Sequence, residues 1–547
     1  MLTKLRFLLI MLLLSAFFST NASEIENNPP NSYQTLLDFF TEWRTFEKPP
    51  LVNGVPDYRK ETIAKRHSAL KQLQARLATI DTTGWTIPHR VDFHIIEAEM
   101  HGMDFNIRVL QPWVRDPAYY QSIWTYQSDT PDHEGPTNHA VIELWQYDFP
   151  LDKASEKKLE KEIKTISPLI EQARINLTGN AKELWIGGII NIRDQAANLR
   201  SLQDQTQKNG RGLKKAIKKA IESTDAFVAW LEKESANKTG PSGIGKEHYT
   251  WHLRHVHMVP MSWEEEVYLL ERELARAHTS LRLEEQRNAH LPPLVAASSK
   301  EEYDQRAMES IDRYLNFLDK KEILVIRDYM GPVLAEHKGP YIPEEKRNFF
   351  RKAMHYDTNT LNTHFYHWWD LARMEVLPHE SPVRRYPLLY NIWDSRAEGQ
   401  ATGFEEMVLH AGLYDDNPRV REIVWIMLAQ RAARGLGSLY AHANIKTMKE
   451  ARDFHVKWTP RGWMREDLDL LGFEQLLYLR QPGYGTSYIT GKILVEQLMA
   501  ERSNQLGDKF KLKDFFEDMD NIGLIPVSLI RWEMTGNADH VEEIVNQ

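Results

Sequence analysis

The stretch from Thr363 to Ser381 holds His364, His367, Glu375, His379 and Glu380, side chains able to bind a metal or move a proton. A water-activating metal site needs two imidazoles on one helix and a carboxylate from a later helix, with a further glutamate as base. Thr363–Leu377 reads as one helix that Pro378 ends or kinks, so Glu375 falls in its last turn. Downstream, Glu398 and Glu405 are seven apart and share a helix face, which makes Glu398 the candidate carboxylate ligand. His364 and His367 are three apart, but within Phe365-Tyr366-His367-Trp368-Trp369 they read first as part of an aromatic packing helix. Glu375 taken alone reads equally as a carboxylate paired with Arg384 or Arg385.

The elements that must position these groups are helical. Apolar residues recur at three and four, and strand-like alternation is rare. Leu70, Leu73, Leu77 and Ile80 mark one helix; Trp263–Leu283 is another, with Ser262 as N-cap and acids in its first turn. Tyr303–Leu318 and Val420–Leu436 follow. Leu213, Ile217 and Ile221 with Lys214, Lys215, Lys218 and Lys219 predict an amphipathic helix whose basic face is solvated. Pro49-Pro50, Gly240-Pro241, Pro292-Pro293 and Gly339-Pro340 punctuate the joins. The predicted fold is all-α: one large helical body, possible as two lobes (23–345 and 346–547) around a cleft.

Composition bounds the function. Lys4 and Arg6 precede an apolar run from Phe7 to Phe18, and small residues Thr20-Asn21-Ala22 follow, so residues 1–22 read as a secretory signal, too short to span a bilayer. The protein is expected to be secreted, into the periplasm, with no membrane anchor after cleavage. The chain has no cysteine, which excludes disulfides, thiolate ligands and cysteine nucleophiles. A net charge of −9 argues against nucleic acid as a partner. No Gly-x-Ser-x-Gly and no phosphate-binding Gly-Lys-Ser/Thr loop occur. His94, Glu97, Glu99 and His101 form a second dense cluster, read as a polar helix face. Trp113, Tyr119, Tyr120, Trp124 and Tyr126 form an aromatic patch, read as core or as a stacking platform.

Several blocks together resemble a bacterial family designated domain of unknown function eight-eighty-five, regarded as helical and zinc-peptidase-like. Gly243-Ile244-Gly245 to Leu253, Glu398-Gly399-Gln400-Ala401 with Glu405, Arg431-Ala432-Ala433-Arg434 to His442, and Pro482-Gly483-Tyr484-Gly485 to Tyr488 are similar to its blocks in order. The similarity is strongest in the last two hundred residues or so. The resemblance implies a His-Glu-x-x-Pro-Gly-His-His segment where this chain reads Met374-Glu375-Val376-Leu377-Pro378-His379-Glu380-Ser381. By that resemblance Glu375 is the general base, Glu398 the carboxylate ligand, and His442 and Tyr488 donors to a developing oxyanion. Met374, Glu380 and Ser381 replace histidines, and a thioether is a poor zinc ligand.

The expectation is therefore a metallopeptidase-like protein without cofactor. Glu375, His442 and Tyr488 are its catalytic candidates, and His379, Glu405 and Tyr484 its substrate contacts. If zinc is held at all, the expected ligands are His367, His379, Glu380 and Glu398. The ligand is expected to be a small molecule or peptide. Three functions stay open: a metal-free hydrolase or proton-abstracting enzyme, a non-catalytic binding protein that kept the cleft, and a metallopeptidase with relocated ligands.

Overall fold

Three-and-four periodicity becomes helix along nearly the whole chain, and the fold is all-α. The computed structural model describes residues 32–546 apart from Pro131, Glu134, Leu389 and Ile392. The expected signal, residues 1–22, lies outside the described residues. Strand is confined to two-residue pairs, Leu51–Val52 with Val55–Pro56 and Ile123–Trp124 with Ile142–Glu143. No helix among the described residues is long and apolar enough to cross a membrane.

Five helices position the site: α1 (Trp263–Arg287), α2 (Tyr366–Val376), α3 (Asp394–Ala411), α4 (Val420–His442) and α5 (Tyr484–Leu506). The start of α1 is as predicted. The Ser262 side chain accepts from Glu265 N at 3.2 Å, and Glu265 Oε2 accepts from Ser262 N at 2.7 Å, a reciprocal cap that fixes the first turn. Almost every residue of α4 is buried, the signature of a helix at the centre of a large body rather than on its surface. α1 and α5 pack on it, and α3 packs along α5.

Two main apolar cores form among the described residues, beside two small clusters. The larger draws Leu36, Ile95 and Leu274 from the N-terminal side and Phe404, Ile426 and Leu529 from the C-terminal side. Apolar packing thus runs across residue 345, where the sequence reading placed a lobe boundary. The smaller core lies within residues 55–231 and takes in Trp113, Tyr119 and Tyr120. The basic helix is real, spanning Arg211–Ser235 with Leu213 and Ile217 buried and its lysines outward.

The α3–α5 crossing depends on two glycines. A Cβ at Gly399 would lie 2.4 Å from Gly491 Cα, and one at Gly491 would lie 1.9 Å from Ser395 O. Backbones can touch here only because neither residue has a side chain. That contact sets the distance between Glu398 on α3 and the tyrosines of α5. Gly491→Ala is expected to destabilise the protein by about 1–3 kcal/mol, the usual cost of forced overpacking. An unchanged melting temperature would mean the helices separate freely.

Between α1 and α5 a carboxylate is buried with neutral donors. Tyr249 OH donates to Glu266 Oε2 at 2.9 Å and Thr490 Oγ1 to Oε1 at 2.8 Å. Burial pushes the Glu266 carboxyl up to about 7. The folded state therefore holds a proton that the unfolded chain has released, and stability falls as pH rises from the ordinary glutamate range through about 7. Glu266→Gln removes this loss. The wild-type deficit relative to the variant should grow by about 2–3 kcal/mol between pH 5 and pH 8. Urea midpoints at the two pH values measure it; a constant difference would mean Glu266 ionises normally.

Candidate metal centre

The chain from Asn359 to Val376 is broken where the sequence predicts one helix. A short helix, Asn359–Asn362, ends in a turn, and α2 begins at Tyr366. His364 lies in that turn, its N–H donating to Leu361 O at 2.9 Å. His367 lies in the first turn of α2. The break lets both imidazoles face α3, where Glu398 waits. His364, His367 and Glu398 are all buried, and their nearest ligand atoms lie within 4.8 Å of one another.

The surroundings orient each group. His364 Nε2 is 3.2 Å from Glu398 Oε2, and its Nδ1 is 3.1 Å from Glu405 Oε1. Glu405 is itself clamped by Arg431 of α4, with Nη1 to Oε2 at 2.5 Å and Nη2 to Oε1 at 2.7 Å. A carboxylate behind one imidazole nitrogen places the proton there and turns the other lone pair inward, the usual support of a metal-binding histidine. Tyr484 OH donates to Glu398 Oε1 at 2.8 Å, and Tyr488 OH donates to Tyr484 OH at 3.2 Å. His367 Nδ1 is buried without a hydrogen-bond partner, although buried polar atoms are rarely left so, and Glu398 Oε2 has the His364 imidazole beside it. Tyr488 stacks near His364, ring centres 5.9 Å apart, and carries the Arg434 guanidinium on its face at 3.8 Å.

A carboxylate from far upstream completes the group. Asp129 Oδ2 lies 3.8 Å from His367 Nε2, and its side chain keeps 35% exposure while the three ligand candidates are almost wholly covered. Charge is arranged for a cation. Burial alone would raise Glu398, but the imidazoles of His364 and His367 and the Tyr484 hydroxyl hold its carboxyl down to about 2. Burial and Arg431 oppose protonation of His364, yet the Glu398 and Glu405 carboxylates prevail and raise it. Burial lowers His367 and raises Asp129, each against the pull of the other.

The expected residues divide. Tyr484, Tyr488, Glu398, Glu405 and His367 come together. Glu375 does not: it is exposed, and eight residues beyond His367 on α2 it is about 12 Å further along the axis. His379 and Glu380 lie past α2, with His379 Nδ1 accepting from Ser381 N at 3.0 Å and their carbonyls accepting from Arg385. They belong to the turn before Pro382–Arg385 and cannot join His367 and Glu398 as ligands. His442 is buried behind the tyrosines, within 2.9 Å of Tyr478 O through Nε2, and burial pushes it down to about 4. The group that the structure brings to metal-ligand spacing is His364, His367 and Glu398, of which the expected set contained His367 and Glu398. His364 had a signal in its spacing from His367; Asp129 lies in an irregular segment and had none. The upstream cluster does not converge: His94 meets Glu97 at 3.1 Å, Glu99 accepts from Tyr390 N, and His101 Nδ1 is 3.3 Å from His255 O.

Comparisons agree with this fold and add no activity. The chain belongs to the bacterial protein family of unknown function DUF885, whose profile matches residues 48–330. That span stops short of α2 and of the blocks on which the sequence resemblance was strongest. No curated protein matches. A "putative lipoprotein of unknown function" from Shewanella oneidensis superposes with a TM-score of 0.68 at 15% identity, over 92% of this chain and 97% of that one. A "putative lipoprotein" from Colwellia psychrerythraea does so at 0.59 and 14%, over 94% and 98%. At such identities the likeness is one of fold.

Proposed function

We propose that this protein is an extracytoplasmic, metal-dependent hydrolase of small peptides or amino-acid-like molecules, its divalent ion held by His364, His367 and Glu398. The observation that carries the reading is the Arg431–Glu405–His364–Glu398 chain: a buried carboxylate, itself clamped, fixes an imidazole whose other nitrogen faces a second carboxylate. Two imidazoles and a carboxylate are a common donor set for catalytic zinc, which keeps a position open for substrate or water. A cation there would also balance the charge of Glu398, a carboxylate buried against two imidazoles. The metal-free reading needs Glu375 as base, and Glu375 is exposed at the far end of α2.

A divalent ion at these ligands supplies Lewis acidity. The protein's own groups do the rest. Glu405 holds the His364 tautomer, and Arg431 holds Glu405. Asp129 is the carboxylate with solvent access beside the ligands; it is placed to take a proton and return it at Oδ2. Tyr488 and Tyr484 run a hydroxyl chain to Glu398 Oε1 and hold that carboxylate in place. Arg434 over the Tyr488 ring keeps that hydroxyl in place.

The signal-like run from Phe7 to Phe18 supports export; the structural neighbours are described as lipoproteins, which accords with it. The test of the metal reading is elemental analysis of protein purified without chelator and re-equilibrated with zinc. About one equivalent, lost in Glu398→Ala, is expected. Less than about a tenth of an equivalent in wild type would overturn it.

A further inference from the structure

A cavity of about 350 Å³ lies away from the His364 cluster. It lies between the helix Lys60–Leu77 and the segment 132–141, the continuation of the loop that carries Asp129. Its volume is in the range of small-ligand sites. Five aromatic rings, Tyr58, Trp113, Tyr119, Tyr147 and Tyr390, line it.

Its charges are unusual. Arg66 gives one nitrogen to the carbonyls of Phe46 and Glu47, at 3.0 and 2.7 Å, and has no carboxylate within 4 Å among the described residues. Asp132 accepts from His133 N at 2.8 Å and likewise has no ion-pair partner among the described residues. The other described ionic groups in the wall are engaged: Glu143 lies 3.1 Å from His133, Glu162 accepts from Tyr147 OH at 2.5 Å, and Lys158 lies 3.8 Å from Glu162. Among the described residues the cavity thus presents one cation and one carboxylate that make no ion-pair contact, on aromatic walls. Burial and the nearby Arg66 push His139 down to about 4, so it stays neutral and does not compete with Arg66 for an anion.

We propose that this cavity binds a zwitterion of amino-acid to dipeptide size, its carboxylate on Arg66, its ammonium on Asp132 and its side chain against the aromatic rings. Enclosed charges without partners are costly, and a ligand carrying both opposite charges satisfies both at once. A neutral sugar would stack on the rings but leave both charges unanswered, and a simple anion would leave Asp132 so. The proposal uses none of the residues of the metal cluster and stands without it. One loop joins the two places. Gly135 N donates to Gln481 Oε1, and Pro136 O accepts from Arg480 at 2.9 Å, so the wall of the cavity is tied to the helix Asp469–Arg480 and the turn before α5.

Titration calorimetry with L-alanyl-L-phenylalanine and with free L-phenylalanine tests it, alongside the N-acetyl and C-amide forms of the dipeptide. Saturable binding of at least one zwitterion is expected, weakened about tenfold or more by capping either end, as befits hydrogen bonds to charged groups. Arg66→Met should erase the preference for carboxylate over amide, and Asp132→Asn the preference for amine over N-acetyl. Arg66 also supports the end of the helix Tyr33–Phe46, so Thr137→Trp, which fills the cavity from its other wall, serves as an independent block. Binding should persist after chelation and in His367→Ala. No binding of either zwitterion, equal binding of the capped forms, or undiminished binding by Thr137→Trp would overturn the proposal. Loss in His367→Ala with no effect of Arg66→Met would place the peptide at the metal cluster instead and overturn it equally.

Discussion

His367→Ala should lower zinc affinity by about 10²–10³-fold. Four protein ligands of a structural zinc site together provide about 10–16 kcal/mol, so one ligand accounts for about 2.5–4 kcal/mol. His367 is buried and its Nδ1 has no hydrogen-bond partner, so removing the ring breaks no visible structural contact of that nitrogen. The buried ring also packs against His364, Phe365 and Trp368, so the metal-free variant should lose some stability too, and affinity is measured where it remains folded. Glu405→Gln should weaken zinc by about 10–100-fold through loss of the carboxylate behind His364. Competition titration against a chromophoric chelator measures both. If His367→Ala binds as wild type does, His367 is a packing residue and the ligand set is wrong; if Glu405→Gln has no effect, the Glu405–His364 contact does not orient a ligand.

Arg431→Leu should destabilise the fold by about 3–5 kcal/mol, the cost of stranding a buried carboxylate. Arg431 is wholly buried and Glu405 nearly so, and the guanidinium meets both carboxylate oxygens. Breaking the pair leaves Glu405 with His364 alone. The double variant Arg431→Leu with Glu405→Leu should recover most of the loss, because well-packed apolar residues replace buried ion pairs at little cost. Urea midpoints of the two singles and the double give the coupling. A mild single effect would mean water reaches Glu405 and the pair is not sealed. The double variant should still bind zinc more weakly than wild type, since stability returns but the support of His364 does not.

The sites were legible in proportion to how local they are. Glu398 and Glu405 were readable because a seven-residue spacing on one helix fixes a common face whatever surrounds it. Ser262 with Glu265 was readable because a cap is settled within four residues. Helices at Lys60–Leu77, α1, Lys300–Lys320 and α4 lie where the three-and-four pattern set them, with ends shifted by a few residues, as at Ile80, which falls beyond Leu77. The segment 363–377 misled. Its pattern suits one continuous helix, and the break after Asn362 rests on tertiary contacts such as Tyr414 OH to Asn359 O at 3.1 Å. The similarity of Met374–Ser381 to a metal motif also drew the ligands about two turns too far down the helix. Glu375 sits at its exposed end and His379 and Glu380 lie beyond it, while Tyr366 OH donates to Asp520 and fixes its start.

The sequence by itself determined the helical class, the placing of most helices and their caps, and the exclusion of thiol chemistry and disulfides, because each follows from residue type and short spacing. Tertiary structure alone decided which groups meet. His364 and His367 turn toward Glu398 because the chain breaks before α2, and Glu398 stands beside Tyr484 because α3 and α5 cross at bare glycines. Asp129 arrives from a segment without periodic structure, and Gly135 and Pro136 further along the chain contact Gln481 and Arg480. No local pattern encodes such a meeting, since its energy comes from packing between segments far apart in the chain.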